Sequence, residues 1–145
     1  MILISKQNCN IFDSRCQAIV NPVNCVGIMG AGLAKQFKLR YPLNFNKYQS
    51  VCNSGLLQIG KCYTVEETGV LIINFPTKNH WKNPSQLNFI SLGMDALIKH
   101  IDKFKIKSIA IPALGCGLGG LEPESVKQII IDKLKPIDIE VELYF

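Results

Sequence analysis

Two short apolar runs, each feeding directly into a glycine-rich loop, constrain the fold of this chain more than any other feature. "QAIVN" (17–21) leads into "PVNCVGIMGAGLA" (22–34), and "KSIAIP" (107–112) leads into "ALGCGLGGL" (113–121). Runs that stay apolar through their middle are strands buried on both faces. Four glycines within residues 115–120 carry an entropy cost that only an unusual backbone path justifies.

The rest of the chain supplies alternating elements. "ILIS" (2–5) is a short strand, and "KCYTVEE" (61–67) and "VLIINF" (70–75) flank Thr68-Gly69 as a hairpin. The tail 137–145 alternates, with Ile137, Ile139, Val141, Leu143 and Phe145 on one side, and is read as a half-exposed strand. A helix is predicted over 30–41, where Leu33, Phe37 and Tyr41 share a face and Pro42 closes it. A second runs from Pro42 to about Cys52. The clearest is 83–105, with Asn83 as cap, Pro84 in the first turn, and Leu87, Ile90, Met94, Leu97, Ile98 and Ile101 as its apolar stripe. A last one opens at Pro123 and runs to about Leu134. The order β-β-α-α-β-β-α-β-α-β predicts an α/β fold: one three-layer α/β/α domain over 1–145, with a mixed, mostly parallel central sheet of about six strands.

Composition excludes several classes. Apolar content of 48% and charged content of 19% argue against disorder. No apolar run approaches the roughly 20 residues of a membrane span, and the N-terminus lacks a signal-peptide pattern. The six cysteines form no C-x-x-C pair, and no histidine cluster lies near them, so no metal site or cofactor is expected. Reduced thiols and a cytoplasmic location are the expectation. The net charge of +5 comes from scattered lysines, compatible with a polyanionic partner and equally with a solvated surface. A monomer is expected.

In open α/β sheets ligands bind beyond the carboxyl ends of the strands, which singles out three loops. The first is neither a P-loop nor G-x-G-x-x-G, and its glycines serve either a tight turn or close approach to a phosphate. The second can form a nest of N–H groups, and together the two loops can hold a diphosphate. Cys116 within it is a nucleophile or a small buried residue; with no histidine or acid adjacent in sequence, the second reading is preferred. The third loop follows "LIINF", with the strand expected to stop at Pro76. Lys78 there is either a nucleophile toward carbonyl carbon or a phosphate-binding or exposed lysine. His80 is a general acid or base, or a surface histidine; Trp81 stacks on a nucleobase or pins the loop to the core.

These three loops, in this order, resemble the macrodomain family. "AIVNPVNCVGIMGAGLAKQF" looks like its first ADP-ribose-binding loop and "SIAIPALGCGLGGL" like its second. "NCVGIMGAGLAKQF", "INFPTKNHW" and "IPALGCGLGGL" look like the branch of DNA ADP-ribosyl glycohydrolase antitoxins, which is related to the terminal ADP-ribose protein glycohydrolases. The resemblance implies removal of ADP-ribose from thymidine in single-stranded DNA, with Lys78 as the catalytic amine and a lysyl–ADP-ribose adduct that hydrolyses. A Schiff base needs an uncharged amine, which partial burial favours. It further implies that Asn24 contacts the distal ribose, and that Gly30, Ala31, Gly32 and Leu33, with Gly115, Cys116, Gly117, Leu118 and Gly119, wrap the diphosphate. Ile19, Asn21, Met29 and Thr77 complete the expected ADP-ribose site, and His80 and Trp81 the expected base contact. Gln17 stands where many members have an adenine-binding aspartate, and Gly119 where the protein-directed branch has a catalytic one. The alternatives are hydrolysis of protein-linked (Glu/Asp) or O-acyl ADP-ribose, and a non-catalytic ADP-ribose-binding module.

Overall fold

The computed structural model describes residues Met1–Phe145. The strands are β1 (Ile2–Ser5), β2 (Ala18–Asn24), β3 (Tyr63–Glu67), β4 (Val70–Lys78), β5 (Ser108–Pro112) and β6 (Glu140–Tyr144). The helices are α1 (Gly32–Arg40), α2 (Pro42–Asn53), α3 (Leu87–Lys103) and α4 (Pro123–Leu134). The strands form one six-stranded sheet in the order β1-β6-β5-β2-β4-β3. Every neighbouring pair is parallel except the β3–β4 hairpin. That hairpin turns on Thr68 (φ 51°) and Gly69 (φ 80°), the pair of left-handed residues that matches strand twist. No helix is long and apolar enough to cross a membrane.

Strand alternation sorts the core into two layers. Val20, Ile73, Phe75, Ile109, Ile111 and Val141 pack with Ile90, Met94 and Leu97 of α3 and Val126 and Ile130 of α4. Their sequence neighbours Ile19, Ile72 and Ala110 belong to a separate cluster with Phe37 of α1. A third cluster joins Val23 and Met29 to Tyr48 and Cys52 of α2. Ile90, Met94 and Leu97 are fully buried, a gain on the order of 2 kcal/mol each. Gly93 lets α3 settle onto the sheet, because a Cβ there would run into the Phe75 ring.

Several boundaries differ from expectation. The third helix begins at Leu87, not near Pro84. Residues 83–86 are held outside it: the Asn83 N–H donates to the His80 carbonyl (3.0 Å), and the Ser85 N–H to the Gly119 carbonyl (3.0 Å). α1 begins at Gly32 rather than residue 30. Strand β4 does not stop at Pro76 but runs to Lys78, and β2 runs through Pro22 to Asn24. Both prolines are tolerated because each strand has a partner on one side only at that point. The β3 pairing ends at Asn74, and the β5 pairing of β2 ends at Ile19.

That short β2–β5 pairing positions the site. Only Ala18↔Ile109 and Ile19↔Ala110 are paired, and beyond them β2 follows β4 alone. The adjacent strands β5 and β2 thus separate toward their carboxyl ends, and a crevice opens between the loops that leave them.

Candidate functional site

A cleft of about 670 Å³ lies over the carboxyl ends of β5, β2 and β4, walled by the three loops that follow them. Of the residues expected at the site, Asn24, Gly30, Ala31, Gly32, Leu33, Thr77, Lys78, Trp81, Gly115, Cys116, Gly117, Leu118 and Gly119 line it. No Asp, Glu or His lines this cleft, and Lys78 is its only cationic side chain.

The first loop is fixed by side chains. Asn24 is 8% exposed, and its Oδ1 accepts from the N–H groups of Val26 (3.1 Å) and Ile28 (3.4 Å) and from the Tyr48 hydroxyl (2.8 Å). Its Nδ2 donates to the Ile28 carbonyl (2.7 Å), which closes the turn on itself. Burial pushes the Tyr48 hydroxyl far above its ordinary value, so it stays protonated and remains a donor. The loop then enters α1, whose first N–H groups have no side-chain cap and border the cleft.

The second loop is shaped by the backbone. Gly115 (φ 71°), Gly117 (φ 62°) and Gly120 (φ 80°) adopt left-handed conformations, and residues 117–119 make one 3-10 turn. Cys116 leans its thiol toward the Leu114 carbonyl (3.6 Å), and burial raises its pKa, which keeps it protonated and weakens any nucleophilic role.

A β-bulge sets the lysine. Val23 pairs with Pro76 but Asn24 pairs with Lys78, so Thr77 is an extra residue in β4. One extra residue reverses the faces that follow it and re-aims the side chain beyond. Lys78 Nζ donates to the Trp81 carbonyl and to the Leu118 carbonyl, both at 3.3 Å, and so ties the third loop to the second. Trp81 is 49% exposed, with His80 5.3 Å and Lys82 Nζ 5.2 Å from its ring.

Five expected residues are not brought to the cleft. Gln17 precedes β2 at the opposite, amino end of the sheet, where its Oε1 accepts from the Lys107 N–H (2.9 Å). Ile19 and Met29 are core residues at 2% exposure. Asn21 is fully buried and donates to Asn74 Oδ1 (3.1 Å), part of a buried amide chain that continues to Asn44. His80 faces the rim, with Nδ1 accepting from the Lys82 N–H (3.1 Å). Sequence reading missed a second depression of about 320 Å³ that shares Leu33 and Pro112 with the cleft and adds Asn10, Ile11 and Tyr144. It also missed Tyr48 and Ser85, which carry no local pattern distinguishing them from core and loop residues.

Fold and site together define a class: an α/β/α domain whose crevice is built from backbone N–H groups and one amine rather than from acids or metal ligands. Residues 20–130 match the Macro domain family, and the chain belongs to it. It is 46% identical over 134 residues to a DNA ADP-ribosyl glycohydrolase of Mycobacterium tuberculosis, covering 88% of this chain and 38% of that protein. The chain therefore spans about two fifths of the length of that relative. Its fold superposes on the macrodomain of Mycobacterium tuberculosis DarG with a TM-score of 0.95 at 39% identity, covering 99% of this chain and 97% of the other. Thermosipho africanus DarTG, solved in complex with ADP-ribose, matches with a TM-score of 0.90 at 34% identity over 97% of this chain and 41% of that one.

Proposed function

We propose that this macrodomain is an ADP-ribosyl glycohydrolase that removes ADP-ribose from thymidine in single-stranded DNA, with Lys78 as its nucleophile. The observation that carries the reading is the position of Lys78 Nζ, the only ionisable nitrogen lining a cleft that has no carboxylate. The names of the relatives and the ADP-ribose bound to one of them support the ligand class.

In this reading the diphosphate lies between the N-terminus of α1 and the second loop, where free N–H groups and glycines accept anions. The adenosine end extends into the adjoining depression, so Asn10 and Tyr144 replace Gln17 as the groups expected near the base. The distal ribose reaches Lys78. Its uncharged amine bonds to the anomeric carbon as the sugar ring opens, and the bond to thymine breaks as the base leaves with a proton. Water then adds to the resulting imine and releases ADP-ribose and the free amine. Trp81, half-exposed on the rim, stacks the departing base.

Position 119 holds no carboxylate, and a Cβ there would lie 2.6 Å from Ser85 Oγ and 3.2 Å from Ser85 Cβ, so an acidic side chain beside the lysine would require Ser85 to shift. This favours the DNA reading over hydrolysis of protein esters.

The test uses single-stranded DNA bearing thymidine-linked ADP-ribose and a protein bearing glutamate-linked ADP-ribose. The wild type is expected to clear the DNA only. Lys78→Ala should lose about a thousandfold or more in rate while binding ADP-ribose within a few-fold of wild type. Clearance of the protein alone selects the ester reading, and binding without turnover selects the non-catalytic module.

A further inference from the structure

Ser85 is 6% exposed, and its hydroxyl has no hydrogen-bond partner. Native proteins rarely seal a hydroxyl away unpaired, and one beside a candidate site calls for a functional reason. The surroundings of Ser85 point to that reason. Its N–H is bonded to the Gly119 carbonyl, which fixes Ser85 against the 117–119 turn. A Cβ on Gly119 would lie 2.6 Å from Ser85 Oγ and 3.8 Å from Lys78 Cε, so this one glycine has the serine and the lysine as its close neighbours.

The peptide between Leu118 and Gly119 is engaged at both ends. Its carbonyl accepts from Lys78 Nζ at 3.3 Å, and its N–H makes a long 3.3 Å bond to the Cys116 carbonyl. In a trans peptide the C=O and N–H point in opposite directions. Turning this N–H toward a diphosphate in the cleft therefore carries the Leu118 carbonyl away from Lys78, to the far side of the turn. Such a turn changes ψ at Leu118 and φ at residue 119, and a glycine at 119 tolerates either sign of φ.

We propose that Ser85 is a positioning residue whose hydroxyl donates to the Leu118 carbonyl when the Leu118–Gly119 peptide turns to present its N–H to the diphosphate. The same movement releases Lys78 Nζ from that carbonyl. Diphosphate binding and liberation of the amine become one event, and Ser85 holds the turned state. The inference rests on the ADP-ribose reading above.

Ser85→Ala tests it. The free protein loses no hydrogen bond, so its melting temperature stays level or rises. ADP-ribose, titrated calorimetrically, binds about 3- to 10-fold more weakly, the loss of one hydrogen bond made only in the bound state. In the wild type the Gly119 amide resonance moves on saturation with ADP-ribose, and in Ser85→Ala, compared at saturation, it moves less. If the wild type binds ADP-ribose and Ser85→Ala binds it equally well, this inference fails and the functional reading stands. If Ser85→Ala melts lower and its affinity falls only in step with that loss, Ser85 is a packing residue and the inference also fails. A wild type that does not bind ADP-ribose removes both.

Discussion

The two glycine-lined loops face each other across one cleft, yet they are built on opposite principles. The first is tied by side chains: Asn24 accepts from the N–H groups of Val26 and Ile28 on its Oδ1 and donates from its Nδ2, and the single Tyr48 hydroxyl hydrogen is shared between its Oδ1 and its main-chain carbonyl, both at 2.8 Å. The second is held by main-chain turns, namely Cys116 to Ala113, Gly119 to Cys116, Gly120 to Gly117 and Leu121 to Gly115. The one side chain from outside the loop that bonds to one of its carbonyls is that of Lys78. A loop fixed by buried polar side chains is pre-organised, whereas a loop of glycines and weak turns can adjust at little cost. One wall of the cleft is a template and the other a clasp.

Removing the template should have the largest effect. Asn24→Ala leaves the N–H groups of Val26 and Ile28 and the Ile28 carbonyl without their partner, while the Tyr48 hydroxyl keeps the main-chain carbonyl of residue 24, and is expected to cost about 3 kcal/mol in denaturant unfolding. Tyr48→Phe leaves Asn24 in place but deletes one donor, and should cost about 1–2 kcal/mol. ADP-ribose affinity should fall in both, more in the first. An Asn24→Ala protein with unchanged unfolding and affinity would show that the first loop needs no side-chain frame.

The clasp separates into two kinds of glycine. A Cβ on Gly115 would lie 2.7 Å from Leu121 Cδ1 and 3.2 Å from Ser85 Cβ, whereas one on Gly117 would meet nothing within 4 Å. Both residues have positive φ. Gly115→Ala therefore combines backbone strain with overpacking, about 2–4 kcal/mol, and Gly117→Ala carries the strain alone, about 1 kcal/mol. Equal destabilisation of the two variants would mean that packing against Ser85 and Leu121 does not shape the second loop.

The sequence showed both loops because glycine density and buried runs are local patterns, and their meeting followed from one rule about parallel sheets. What holds the first loop was not legible. Asn24 and Tyr48 are 24 positions apart, and nothing in "YPLNFNKYQS" (41–50) marks a tyrosine that serves a distant asparagine rather than the core around it. The expectation at Gln17 came from the resemblance, which has an adenine-binding group just before this strand, and the structure puts Gln17 at the amino end of the seven-residue β2, away from the cleft. Asn10 and Tyr144 come from segments far apart in the chain, and only the β6–β5–β2 order explains their meeting beside Pro112. Lys78 lines the cleft, but the bulge that aims it was not legible, because a one-residue register shift has no compositional mark.

Acid provides the gentlest test of the same contrast, because the hydrogen bonds of neither loop involve an Asp, Glu or His side chain. Elsewhere two groups do titrate. Burial, with Lys103 nearby, holds His100 below its ordinary value, and its Nδ1 lies 2.8 Å from Thr64 Oγ1. Burial pushes Glu142 up, but hydrogen bonds from Tyr144 and Ser14 outweigh it and leave the carboxyl below its ordinary value. For both, the unfolded chain takes up a proton more readily than the folded one, so stability falls as pH falls. The His100 contribution is complete above its unfolded value of about 6.5 and is lost as pH drops from there through the lower folded value. The Glu142 contribution is complete above about 4.3 and is lost below that, through its own folded value. Melting temperature should accordingly decline in two steps, and His100→Gln should flatten the upper one only. ADP-ribose affinity of the folded protein should stay level across the upper step. An affinity that falls together with the His100 step would mean that the loops share a titrating support in α3, and the division into a fixed wall and an adjustable one would no longer describe the cleft.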